Sequence, residues 1–276
     1  MLRSMFSAIS GLKSHQTMLD VTANDIANVN TIGFKAGRTT FKDSLAQLQS
    51  GSAAPGATQG GANARQVGLG VQLGSIDNLM GGGALQSTGN SLDVAIQGEG
   101  WFRVGAGAPP AVPTTAQFTR AGNFTTNQQG YLVTQDGSYI VGRTAPGAGG
   151  TDTYLQVTTG ATNTAIGPDG SLSFDPAGGG ARVVAGYISL AKFANESGLE
   201  RASSNRWNGS ASSGVEQVGT SGDGYGMLSS GSVEMSNVDL ASEFTNMITA
   251  QRGFQANSRV ITTADEILQD LVNLKR

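Results

Sequence analysis

The sequence predicts an α+β protein with long N- and C-terminal helices paired in coiled-coil fashion and a central, mainly antiparallel β-domain. Three observations predict it. Apolar residues recur every seven positions near both ends of the chain. The middle consists of short runs of strand composition separated by glycine turns. Of 276 residues 41 are glycine and only 13% are charged, against about 25% charged in an average globular domain.

The first helix rests on Met5, Leu12, Leu19 and Ile26, spaced by seven, with Leu2 and Ile9 in a second row diluted by Gln16 and Ala23. Such a row marks a heptad seam or the buried stripe of an ordinary amphipathic helix. The helix then runs into ANDIANVNTIGFKAGR, residues 23–38. Asparagine is a poor helix-interior residue because its side chain competes for backbone hydrogen bonds. Asn24, Asn28, Asn30 and Thr31 are therefore read as ending the helix, either within the subunit or on a neighbour. Gly33 permits the turn that sends Phe34 away.

The second helix carries the stronger repeat. Leu240, Met247, Phe254, Ile261 and Leu268 are spaced by seven without a miss, and Phe244, Ile248, Ala264, Leu271 and Val272 widen the stripe. Ser236 or Asn237 is placed to cap its start, with Asp239 in the first turn and Lys275 and Arg276 at the far end, as the helix dipole favours. A helix over 237–275 would be roughly 58 Å long at 1.5 Å per residue. Gly253 inside it costs about 1 kcal/mol relative to Ala, a cost that a close helix–helix approach would justify. Two narrow seams are marginal alone, because helices in proteins draw most of their stability from packing. The ends are expected to order fully when neighbouring copies supply contacts.

Residues 43–66 are rich in Ser, Gly, Ala and Gln and read as a linker. From Val67 the segments VQLGSI, LDVAIQ and WFRV have strand composition, and GEG makes a tight turn between the last two. Further strands follow, with turns at NQQG, QDG and PDG. A loop is expected over 195–226. The predicted organisation is a helical domain of residues 1–33 and 236–276, an extended segment 34–75, and a β-rich domain of 76–142 and 187–235. Residues 143–186 read as a small β excursion of that domain.

Composition narrows the function. The formal charge is −3 with no basic cluster, which argues against nucleic-acid binding. Cysteine is absent, which excludes disulfides, thiolate metal sites and a cysteine nucleophile. There is no run of about 18 apolar residues to span a membrane and no continuous apolar segment of a secretory signal. The one histidine, His15, lies in the first helix, and neither GxSxG nor HExxH occurs. GLGVQLG fails the dinucleotide spacing, and Asp136-Gly137 and Asp169-Gly170 lack the ligands of a calcium loop. No catalytic, cofactor-binding or metal residue and no small-molecule substrate is predicted. The chain reads as a structural protein that binds copies of itself. A contact between unlike patches that does not close produces a helical filament.

Four stretches carry a resemblance to a known family. LDVTANDIANVNTIGFKAGR resembles the N-terminal signature of bacterial flagellar rod and hook axial proteins, and EMSNVDLASEFTNMITAQRGFQANSRVITTADEILQDLVNLKR resembles the C-terminal one. STGNSLDVAIQGEGWFRV and FTRAGNFTTNQQGYLVTQDG resemble the family's β-domain segments. Asp25 stands where the family often has Asn.

The resemblance implies subunits exported unfolded by the flagellar type III export apparatus without a cleaved signal and added at the tip beneath a hook cap. It implies a homopolymer joined to neighbouring rod and hook–filament junction proteins, with no cofactor. The terminal helices would form an inner tube, with the heptad residues and the 24–34 turn at subunit interfaces. The opening and closing stretches resemble hook proteins most, implying an extracellular flexible universal joint that passes motor torque to the filament. Many hook proteins carry larger outer domains, whereas distal rod proteins are about this size, so a rigid rod subunit is the alternative. A secreted β-domain cell-wall hydrolase would leave the heptad termini unexplained, and an adhesin would need an anchoring signal.

Overall fold

A computed structural model describes residues 2–56, 60–105, 107, 109 and 116–274. Lys275, Arg276 and the side chain of Leu2, assigned from the sequence to the helix ends and a helix row, lie outside the described residues. The fold is α+β, with the terminal helices packed on each other and a mainly antiparallel β-domain between them in sequence. The chain forms two compact units. One comprises Met1–Ala27, Gly37–Asn78 and Asp239–Arg276; the other comprises Asn28–Ala36 and Leu79–Val238.

In the first unit, α1 (Leu2–Ala27) lies antiparallel to α2 (Leu240–Asn273). Gly11 faces Asn257 and Gly253 faces His15. A Cβ on Gly11 would stand 2.8 Å from Asn257 Nδ2, and one on Gly253 2.5 Å from the His15 ring. Each glycine is thus the socket for a side chain of the other helix. That reciprocal fit accounts for a glycine at position 253 despite its cost in helix propensity. Asn257 Nδ2 also donates to Gly253 O at 2.9 Å, holding the knob in place.

The start of α2 differs from the expected cap. Asp239 is the N-cap, its side chain accepting from Ala241 N at 3.0 Å. Ser236 Oγ instead accepts from Val238 N, and Asn237 is engaged in the β unit. A carboxylate one position before the helix reaches the exposed N–H groups best. Among the described residues no helix is long and apolar enough to cross a membrane.

Among the described residues, four strands complete this unit: β1 (Gly37–Asp43), β2 (Ala46–Ser50), β3 (Arg65–Gly68) and β4 (Val71–Asn78). β1 pairs with β4 and β2 with β3, both antiparallel. β2 and β3 fall in and beside the stretch that reads as linker by composition. Their side chains are exposed throughout, so no hydrophobic alternation announces them. Hydrogen bonds tie the β1–β4 ribbon to α1. Gly37 N donates to Asp25 Oδ2 at 3.0 Å, and Val71 N donates to Ser10 Oγ at 3.3 Å. Asp25, the departure from the family pattern, is fully buried at this joint.

The β unit is built on one long sheet. Its spatial order is Thr162–Ile166, Ser171–Asp175, Val183–Ile188, Tyr139–Arg143, Trp101–Gly105, Gln117–Thr119, Trp207–Asn208 and Glu200–Arg201. The pairings are antiparallel. Trp101–Gly105 runs through the middle and is buried on both faces. Phe102 and Val104 enter one apolar core with Phe124, Leu132, Ile140 and Leu172. Trp101 enters the other with Phe118, Phe193 and Trp207. The turns read from NQQG, QDG and PDG are present, closed by Gly130 N→Asn127 O, Gly137 N→Thr134 O and Gly170 N→Gly167 O. The expected loop 195–226 holds short strands at 200–201, 207–208 and 217–219, too brief to show a period of two.

Candidate assembly helices and the turn after the first helix

The heptad rows flank the tightest part of the helix pair. Met5, Leu12, Leu19 and Ile26 are half-buried, while Ala8, Gly11, Ser14, Thr22 and Asp25 are buried. On α2, Ala250 and Ala264 are buried, and Met247, Ile261 and Leu268 are half-buried. Leu240, Phe244, Phe254 and Leu271 are exposed. Small residues let the backbones approach, and the larger apolar ones spread to either side. A search for large apolar residues at period seven finds the flanks and passes over the seam, because Ala, Gly and Ser carry little hydrophobic signal.

The asparagine run is answered inside the β unit. Asn24, still in α1, is exposed. After Ala27 the helix does not continue. Asn28 O accepts from Thr31 N at 3.0 Å, and Asn28 Oδ1 accepts from Thr31 Oγ1 at 3.0 Å. An asparagine side chain offers the backbone this alternative to another helical turn. Asn30 is exposed on the rim of a cleft of about 370 Å³ that also includes Asn123, Gln135 and Arg206.

Gly33 adopts φ +67° and donates its N–H to Glu234 O at 2.8 Å. A Cβ there would stand 2.6 Å from Ala121 N, so both the backbone conformation and the space require glycine. Phe34 is buried beneath the Arg201 guanidinium, 4.9 Å from its ring centroid. Arg201 Nη2 donates to Lys35 O at 2.6 Å.

Below the turn lies a buried ionic cluster that sequence reasoning passed over. Lys35 Nζ meets Glu234 Oε1 at 2.6 Å and donates to Gly81 O at 2.9 Å. Arg120 Nη1 reaches Glu234 Oε2 at 3.3 Å. Gly83 N donates to Glu234 Oε1 at 2.9 Å. Lys35 and Glu234 are almost wholly buried. Burial pushes the Lys35 ammonium below the usual lysine range, against the raising pull of the Glu234 carboxylate. Asn237 completes the frame: its Oδ1 accepts from Ala36 N at 2.7 Å and its Nδ2 donates to Leu79 O at 2.8 Å. Lys35 stands in the NTIGFK stretch and Glu234 at the start of EMSNVD, so both lie within the segments that resemble the family. Glu234 therefore holds residues 28–36 to the strand Ser232–Glu234 by one carboxylate and one carbonyl.

Among the described residues no group of three or more His, Cys, Asp or Glu is placed to hold a metal. His15 packs between Gly253 and Phe41, whose ring centroid is 6.3 Å away.

Comparison with known proteins gives the same family along the chain. Residues 5–35 match the model of the flagella basal body rod protein, and residues 95–174 that of the flagellar hook protein FlgE/F/G D1 domain. Residues 229–274 match the model of the flagellar basal body rod FlgEFG protein C-terminal. The flagellar basal-body rod protein FlgG of Bacillus subtilis is 49% identical over 278 positions that cover all of both chains. The protein of the same name from Caulobacter vibrioides is 37% identical, covering 99% of this chain and all of the relative. The flagellar hook protein FlgE of Borreliella burgdorferi is 27% identical, in an alignment that runs over 447 positions.

Proposed function

The chain belongs to the family of flagellar rod and hook axial proteins, and we propose that within it this protein is a subunit of the distal rod. Its family is structural, not enzymatic, and its members are parts of the flagellum. The observation that carries the rod reading is the full-length match at 49% identity to a rod protein, with no large insertion on either side. The hook relative matches at 27%, and its alignment needs 447 positions against the 276 residues of this chain. The hook assignment drawn from the opening and closing stretches gives way to the alternative. Those stretches belong to signatures that rod and hook proteins share, and length separates the two better.

In this reading copies polymerise through the helical unit, and the β unit forms the outer layer of a straight shaft that carries torque. The interlocked glycine sockets of α1 and α2 and the buried Lys35–Glu234–Arg120 cluster suit a part that must not yield. Export through the flagellar apparatus, and contact with further rod and junction proteins, follow from the same reading. Electron cryotomography of cells lacking the chain tests it. The rod reading predicts an axial structure that stops short within the envelope, with no hook. A complete rod that lacks only the hook would overturn it.

A further inference from the structure

The β unit holds a second cleft, of about 490 Å³, a size usual for a ligand site. Arg120 and Glu196 line it, together with Gly81, Gly82 and Glu99. Arg120 is 3% exposed and lies over the Trp101 ring, 5.2 Å from its centroid. Its Nη1 reaches Glu234, but its Nε is buried and has no hydrogen-bond partner among the described residues. Glu196 Oε1 is likewise buried without a partner among them. Buried polar atoms are nearly always bonded. An unpaired donor and an unpaired acceptor on one cleft therefore suit a ligand that supplies both counterparts.

The charges narrow the ligand. Lys35 and Arg120 share Glu234, and Glu99 is paired with Lys192. The Glu196 carboxylate stands against the one cation left over, so neither an anion nor a cation is favoured. A neutral group that carries a carbonyl and an N–H side by side meets Arg120 Nε and Glu196 Oε1 together. That is the pattern of a peptide group.

Gly81 and Gly82 point to a polypeptide backbone as its bearer. Neither has a positive φ, and a Cβ on Gly81 would meet nothing within 4 Å. The fold itself thus gives no steric or conformational reason for glycine at position 81. Among the described residues the backbone N–H and C=O of Gly82 form no hydrogen bond. Bare backbone with unpaired donors and acceptors is what an extended peptide pairs with.

We propose that this cleft binds an extended, uncharged peptide segment. One carbonyl of the segment accepts from Arg120 Nε, a neighbouring N–H donates to Glu196 Oε1, and the backbone of Gly82 extends the pairing.

The test uses the full chain with isotope-labelled arginine, the Arg120 Nε–H signal being assigned through its contact with Trp101. The probe is a blocked peptide, acetyl-Ala-Gly-Ala-methylamide. Millimolar peptide is expected to shift that signal saturably. Among analogues that each replace one N–H by an ester oxygen, one is expected to bind at least several-fold more weakly, and to lose that disadvantage in Glu196→Ala. Gly81→Leu is expected to abolish the shift and leave the unfolding midpoint of the β unit unchanged. Should either variant fail to fold, the ester series on the native chain decides. A signal that no probe moves, or ester analogues that all bind alike, overturns the proposal. N-acetylglucosamine carries the same amide, and binding tighter than the peptide's would make this a sugar site and overturn it too. None of these outcomes bears on the rod reading.

Discussion

Glu234→Gln is expected to destabilise the β unit by about 3–5 kcal/mol, the usual cost of stripping one partner from a buried ionic cluster. The shape is nearly unchanged, so the loss is electrostatic. Lys35 and Arg120 would remain buried with their shared carboxylate gone; an amide oxygen at the Oε1 position can still accept from Lys35 Nζ and Gly83 N, but without the charge, and the amide NH2 would then face the Arg120 donor. Both tryptophans, Trp101 and Trp207, lie in the β unit, so fluorescence-detected unfolding reads this unit. The change should also alter the response to pH. Lys35 in the folded chain has its pKa below the unfolded value of 10.5. The folded state therefore binds fewer protons in the window below 10.5, and stability rises as pH rises through it. Without Glu234 the Lys35 pKa falls further, so the variant should regain more stability on raising the pH than the native chain does. A loss below 1 kcal/mol with an unchanged pH response would remove the cluster from the account.

Gly33→Ala is the second large effect. At φ +67° any Cβ meets its own backbone, at about 1–2 kcal/mol. Here it also stands 2.6 Å from Ala121 N and 2.7 Å from Arg120 C, backbone atoms that cannot swing aside. Overpacking of this kind adds about 1–3 kcal/mol, for a total of about 3 kcal/mol. Gly89→Ala separates the two causes, since Gly89 has φ +72° with nothing within 4 Å of the added atom. It should cost about 1 kcal/mol in the same unfolding measurement. Equal losses at the two positions would mean that the turn does not bear on Ala121 as described. Because Arg120 also pairs with Glu234, the Gly33 and Glu234 substitutions should couple rather than add.

Much of the fold is legible in the residues. Heptad rows locate α1 and α2, and glycines after Asn, Gln or Asp place the tight turns at 127–130, 134–137 and 167–170. What remained hidden has physical reasons. The helix pair interlocks at Gly11 and Gly253, residues whose value there is their small size and not their hydrophobicity. The cluster of Lys35, Arg120 and Glu234 joins positions 199 and 114 residues apart. Charged side chains ordinarily read as surface, so nothing in the chain marks these three as interior. The β2–β3 ribbon is exposed on both faces and carries no alternation to detect. Rod and hook share the signatures at residues 19–38 and 234–276, so those segments identify the family and leave the member open.

The most direct test of the rod reading is immunogold labelling of isolated hook–basal bodies with antibody to residues 76–230. Gold confined to the straight segment below the hook is the expected result. Gold along the curved segment outside the envelope would make this chain a short hook subunit and contradict the account.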